Sequence, residues 1–405
     1  MVEETPWQQA LRYENRPNPY PFYEELRKTP VARQPDGSYV VSTYRELVQL
    51  LHDPRVSSDQ RKLPVPVENP FVGTIITTDP PEHDVDRRRM MRHFGPPECP
   101  HMIAGFEPQI RRIFTGLFDG MQGKTRIDLV DEFAFPGPVT VICEVLGVPL
   151  EDIPSFHAWI ETALDGLDLG PEATTEEQQR RAAAVPAAVT QLRQHLGDLL
   201  DQYRERPGPG VLSGMANDDG PEGPLSQEAA IGNAMLMLFA GHETTVNLIA
   251  HSVLSLLRHP DQLETLRRRP GLIVPGIEEL LRFESSVQFW PTRSALEDIE
   301  IAGTTIPAGA PIFVAYGAAN RDPKRFENPD KLDLERPNNE HVGYSQGIHY
   351  CFGAPLARLE VQIGVSEFIR RAENPRLVED PPPYRRNQIF RGPKHLWLDI
   401  DGVRD

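Results

Sequence analysis

Residues 225–258 limit the fold more than any other stretch. They read as one continuous helix, with Ser226 in N-cap position and Glu228 in the first turn. At 1.5 Å per residue such a helix is about 50 Å long. Residues 231–241 are apolar nearly all round, so this part is buried. It is too short, and too closely flanked by polar groups, to span a bilayer. Inside it lies Ala240-Gly241-His242-Glu243-Thr244-Thr245. Acid and hydroxyl groups in a buried helix are expensive without partners. The Thr244 hydroxyl is spaced to bond the carbonyl of Ala240, which tends to bend or open a helix. Ala240 and Gly241 leave room beside the backbone. The bland alternative is a glycine-weakened helix with a back-bonded threonine.

The second constraint is Tyr344-Ser345-Gln346-Gly347-Ile348-His349-Tyr350-Cys351-Phe352-Gly353. Two glycines bracket one cysteine, and a helix begins behind it, with Pro355 in the first turn. A thiol there sees the positive end of the helix dipole and free N–H groups, which favour the metal-ligating thiolate. No second Cys or His stands at zinc spacing. A single thiolate held by glycines fits the axial ligand of haem iron. A buried structural cysteine is the alternative.

This loop resembles the haem-binding loop of cytochrome P-450, a haem-thiolate monooxygenase family, with Tyr344 where the family has Phe. The resemblance covers nearly the whole chain. It implies a mainly α fold with a small β region: one domain, residues 1–405, binding haem b (iron protoporphyrin IX) and using O2 as co-substrate. It implies Cys351 as the metal ligand, and Glu243 and Thr244 as the acid–alcohol pair of the oxygen groove beside Ala240. His83 and Arg87, spaced i, i+4 on one helix face, match propionate contacts; read alone they are a surface pair. Arg293, His349 and Gly353 are further cofactor-binding positions by the same resemblance. Glu279, Arg282 and Arg336 match a structural ion knot that holds the Cys loop. The pocket-lining candidates are Ile75, Ile76, Thr77, Leu236, Val287, Phe289, Trp290, Ile389 and Phe390, an almost wholly apolar set that suits a lipophilic small molecule. The interval from Arg282 to Arg293 is about one residue longer than the family pattern suggests.

The net charge of −17 disfavours nucleic acid and anionic membrane surfaces as partners. Three separated cysteines give no disulfide framework and suit a reducing compartment. Residues 1–28 are polar and proline-rich with no apolar h-region. A soluble, cytoplasmic protein with no membrane anchor is the expectation. Neither a dinucleotide fingerprint nor an iron–sulfur cysteine cluster is present. Electrons are therefore expected from a separate protein, and the resemblance implies NAD(P)H as their source through a ferredoxin and its reductase. Arg88, Arg89, Arg92 and Arg358 are candidate docking cations. The implied reaction inserts one oxygen atom by hydroxylation or epoxidation. A peroxide-using peroxygenase and a non-catalytic haem sensor or carrier are the competing classes.

In chain order, helices are expected over residues 18–29, 44–51, 102–119, 136–147, 152–205 with a break at 166–171, 260–268 and 273–284. Residues 206–224 read as loop, 294–314 as short strands, and 396–400 as part of a hairpin with residues 388–390 at its turn.

Overall fold

A computed structural model of the chain describes residues 4–62, 71–165 and 176–404. The expected break at 166–171 lies outside the described residues. The chain divides into two compact units. The first comprises Met1–Val56, Arg111–Gly137 and Thr244–Asp405; the second comprises Ser57–Ile110 and Pro138–Glu243.

The first unit holds most of the β structure. Its main sheet orders strands Val31–Arg33, Tyr39–Val41, Pro311–Val314, Trp290–Ala295 and Val56–Ser57. Tyr39–Val41 pairs in parallel with Pro311–Val314, so the N-terminal hairpin is completed by a segment some 270 residues later. The hairpin Ile299–Ile301/Thr304–Ile306 turns at Ala302-Gly303, both at positive φ (51° and 76°), the geometry of a two-residue loop that matches strand twist. Alternate side chains of these strands, with Leu47 and Leu50 of helix Tyr44–Leu51, bury into one apolar cluster. A second cluster joins Trp7, Tyr23 and Leu26 to Phe289, Ala315 and Ile389. Trp7 belongs to helix Pro6–Leu11, which the periodicity of the sequence did not suggest; Thr5 and Gln8 close a capping box on it.

Residues 396–400 were expected to belong to a hairpin. They do: strand Trp397–Asp399 pairs antiparallel with Arg376–Leu377, and on its other side with Arg126–Asp128, which makes a separate three-stranded sheet. A turn does lie upstream: Tyr384 bridges Pro393, with residues 388–390 between them.

The second unit is helical. Its helices include Glu82–Phe94, Ile153–Asp165, Glu176–Glu205 and Val211–Ala216. The last falls in a region read as loop from its Gly, Pro and Asp content. Four of its six residues are buried, so tertiary packing overrides weak local propensity. The central helix, Gln227–Arg258, is unbroken in its hydrogen-bonding class, and the boundary between the units falls within it. Ser226 caps it, its hydroxyl accepting from the Ala229 N–H at 3.2 Å. Among the described residues no helix is long and apolar enough to cross a membrane.

Candidate haem-thiolate site

In the first unit, Cys351 ends the loop that precedes helix Ala354–Arg371. Its N–H donates to the Tyr344 carbonyl at 2.9 Å, and its own carbonyl accepts from Ala354 at 3.3 Å. The loop is thus closed across seven residues, and the sulfur stands at the helix N-terminus. Cys351 is partly accessible, whereas Cys143 is buried and its thiol is pushed up to about 12 by that burial. Gly347 sits at φ +70°, and a Cβ there would lie 2.4 Å from the Leu51 carbonyl oxygen. Glycine is demanded twice over, by conformation and by close approach. Gly353 differs: a Cβ there would meet only the Cys351 sulfur, at 3.8 Å. Space beside the thiol, a single soft sulfur and a helix N-terminus form a donor set that fits haem iron rather than a tetrahedral metal.

Arg293 is buried in strand Trp290–Ala295. Burial pushes the neighbouring Tyr316 phenol up while the Arg293 charge pulls it back, and the Tyr316 hydroxyl bonds Ser345 Oγ of the Cys loop at 3.0 Å. Arg293 therefore shares a neighbourhood with that loop. His349 ends the 3-10 turn Gly347–His349. The strand has a bulge: Trp290 opposes Val314 but Arg293 opposes Ile312, three residues against two. The extra residue is left unpaired and bends the strand at this point. Val287 bridges Phe390, and the Gln288 N–H donates to the Ile389 carbonyl at 2.9 Å, which brings two of the pocket segments side by side. Phe289 is not on their accessible face. It is packed edge-on against Trp7, ring centroids 4.9 Å apart.

Glu279 and Arg282 have no accessible side-chain surface. The Arg282 fork grips Glu279 at 2.7 and 2.9 Å, and Arg336 Nε reaches both carboxylate oxygens at 3.0 Å. Asp333 N–H adds a further donor at 3.0 Å.

In the second unit, His83 is buried on helix Glu82–Phe94, with Nδ1 2.8 Å from Asp84. Burial holds its imidazole below the usual histidine range, against the pull of Asp84. Arg87 lies one turn on. Ile75 is buried, and its N–H donates to Asn233 of the central helix at 3.1 Å; Ile76 is partly accessible. Thr77 turns inward and bonds carbonyls of its own segment, at Phe71 and Thr74. Leu236 and Glu243 are buried, but Ala240 is exposed in the middle of an otherwise buried helix. Thr244, one turn on, is partly accessible. The room expected at Gly241 is taken by Ile142, whose side chain would lie 2.9 Å from a Cβ.

The proposed basic patch dissolves on inspection of its partners. Arg88 pairs with Glu222 at 2.9 Å, Arg89 with Asp86 at 2.8 Å, and Arg92 with Asp218 and Glu222 at 3.0 and 2.7 Å. Arg358 is forked onto Glu278. Acids distant in sequence pair with Arg88, Arg92 and Arg358, which spacing alone does not reveal; the partner of Arg89 is Asp86 on its own helix. Two further groups were not anticipated. Glu284, Arg391, Arg321 and Tyr20 form a second buried ionic network. His251 is buried on the central helix, with neither ring nitrogen hydrogen-bonded among the described residues.

Cys99 is also partly accessible ahead of helix Pro100–Asp119, but only Cys351 lies in a glycine-bracketed loop, and that loop in a mainly helical chain with a small sheet suits a haem-thiolate protein. The family described as Cytochrome P450 matches residues 275–398. Cytochrome P450 107B1 of Saccharopolyspora erythraea is 36% identical over 395 residues, 92% of this chain and 93% of that protein. The vitamin D(3) 25-hydroxylase of Pseudonocardia autotrophica is 37% identical, covering 93% and 92%. The structure of CYP109E1 from Bacillus megaterium in complex with testosterone superposes with a TM-score of 0.86 at 31% identity, over 96% of this chain and all of that one. The chain belongs to the cytochrome P450 family. It is a monooxygenase, an oxidoreductase whose family uses haem and O2.

Proposed function

We propose that this enzyme inserts one oxygen atom from O2 into a lipophilic small molecule, by hydroxylation or epoxidation. Electrons come from NAD(P)H through a separate ferredoxin and its reductase, in the cytoplasm, and residues 1–405 work as one catalytic domain. The observation that carries this reading is Cys351, an accessible sulfur at a helix N-terminus beside the open side of Gly353. The names of the relatives, among them the vitamin D(3) 25-hydroxylase and the 6-deoxyerythronolide B hydroxylase, point to large and mostly apolar substrates. The apolar lining set, Ile75, Ile76, Leu236, Val287, Ile389 and Phe390, suits such a molecule and offers it no charged anchor.

Haem b, when bound, supplies oxygen activation and the cleavage of the O–O bond. Cys351 would hold its iron as thiolate. His83, Arg87, Arg293 and His349 would hold its propionates, cationic or hydrogen-bonding groups being suited to carboxylates. Ala240 keeps the central helix low where the substrate and oxygen need room. Thr244 Oγ holds a proton on the same helix face, and Glu243 supplies it. Glu279, Arg282 and Arg336 keep the Cys loop in place without touching the chemistry.

Two variants test this. Reduced protein with carbon monoxide should show the long-wavelength Soret band of thiolate ligation. Cys351→Ser should lose it and Cys99→Ser and Cys143→Ser keep it; a retained band in Cys351→Ser refutes the ligand assignment. Thr244→Ala should bind substrate and accept electrons normally but form less product per NAD(P)H, the missing electrons appearing as hydrogen peroxide. Unchanged coupling would refute the proton role.

A further inference from the structure

Glu278 and Glu279 are neighbours on helix Ile273–Phe283, about 100° apart around its axis. Glu279 enters the buried knot. Glu278 faces another way and meets the helix that starts behind Cys351. Its two oxygens take the Arg358 fork at 2.7 Å (Nε) and 2.8 Å (Nη2). His341 Nε2 lies 3.1 Å from the same carboxylate. The Gly343 N–H donates to His341 Nδ1 at 3.0 Å, so Nε2 carries the imidazole proton and donates to Glu278. Burial pushes the Glu278 carboxyl up, but Arg358 and His341 outweigh it and hold it down at about 2. The carboxylate is charged at any working pH.

The far side of the Arg358 guanidinium belongs to the Cys loop. It stacks over the Tyr344 ring at 4.4 Å from the centroid, and Nη1 donates to the Tyr350 hydroxyl at 3.2 Å. Tyr344 opens the loop and Tyr350 directly precedes Cys351. The Tyr344 carbonyl also accepts the Cys351 N–H. One planar cation therefore touches both ends of the loop that presents the thiol. A lysine could neither fork onto Glu278 nor stack in this way.

We propose that Glu278 and Arg358 are positioning residues for the thiolate: a charge-balanced clamp that closes the Cys loop and sets the potential at the sulfur. The proposal rests on Cys351 being the ligand. It makes Arg358 an internal part of the loop rather than a docking cation. Adding an electron at the site adds negative charge, so a more positive surround favours the reduced state. Glu278→Gln keeps the shape and removes the counter-charge, leaving Arg358 uncompensated; the midpoint potential should rise. Arg358→Gln removes the cation and leaves Glu278 with only the His341 N–H; the potential should fall. The double variant should return toward the parent value.

The test is spectroelectrochemical titration of the purified holoproteins, with the carbon monoxide spectrum recorded for each. Opposite shifts with the long-wavelength band retained support the clamp. Shifts of the same sign, or none, overturn it, because mere loosening of the fold would not depend on which charge was removed. Where a neutral variant loads too little haem, Arg358→Lys keeps the charge and loses the fork. Its potential should then stay close to the parent while its long-wavelength band is lost faster on warming; a potential as low as that predicted for the neutral variant overturns the clamp. Cys351→Ser separates this inference from the reading beneath it. If that variant keeps its band, the ligand assignment has failed. If the band is lost and the charge variants shift alike, only the clamp has failed.

Discussion

His251 is a base held neutral by its surroundings. Burial pushes its imidazole down to about 3; the cations Arg391 and Arg258 add to this, and Glu284 opposes it. Tyr384 packs against it, ring centroids 5.9 Å apart. The folded state refuses a proton that the unfolded chain accepts below about pH 6.5. Stability is therefore unaffected above that value and falls as pH drops through it, by about 1.4 kcal/mol per pH unit for this group. His83 shifts the same way, through burial. Glu278 and Glu284, both held at about 2, join only below their ordinary value of 4.5, where acid also removes stability. Between roughly pH 6.5 and 4.5 the histidines are opposed by Glu360, whose carboxyl is held by burial well above its ordinary value and which acts alike in parent and variant. His251→Phe should shrink the drop in melting temperature between pH 7 and pH 5; an undiminished drop would show that His251 takes up its proton in the folded state. The sequence displays His251 but not its burden, since Glu284, Arg391 and Tyr384 reach it from segments 33 to 140 residues away.

The two glycines of the Cys loop look alike in sequence and differ in structure. Gly347 is fixed by its own backbone and by the Leu51 carbonyl, which cannot move aside as a side chain can. Gly353 has φ −79° and meets only the sulfur. Gly347→Ala should destabilise the protein by more than about 1 kcal/mol, the cost of forcing a side chain into a positive-φ site, and reduce haem loading. Gly353→Ala should leave the apoprotein's melting temperature near the parent value and change only the loading or spectrum of the holoprotein. Equal melting temperatures for the two variants would contradict this division. The elements themselves were largely legible. Helices Tyr44–Leu51 and Pro260–Arg268 follow from periodicity and end signals to the residue. Helices Pro6–Leu11 and Val211–Ala216 were not, being six residues each and held by packing. For the candidate site, the glycine-bracketed loop picks out Cys351, and the family resemblance picks out Glu279 and Arg282. Spacing does not reveal Glu278 as the partner of Arg358, because the two are 80 residues apart.

At the scale of the molecule, the charge of −17 has no large free basic counterweight in Arg88, Arg89 or Arg92. An acidic ferredoxin would approach against a repulsive field. Its reduction rate with this enzyme should rise as salt is increased from about 10 to 150 mM, where screening shortens from about 30 to 8 Å. A steep fall over the same range would place an unbalanced cationic surface on the docking face. The two ends of the chain are also tied together. Tyr13 donates to the Tyr384 carbonyl, and Arg391 donates to the carbonyls of Arg16 and Pro17.

Those last contacts have a consequence in time. A ribosome delivers residue 16 hundreds of residues before residue 391, and strand Tyr39–Val41 long before its parallel partner Pro311–Val314. The first fifty residues leave the exit tunnel with apolar side chains and no lasting place to bury them. They must wait, exposed or shielded by chaperones, until the final segment emerges. With Cys351 as the proposed ligand, haem capture needs this loop and so comes only after residues 344–354 have been made.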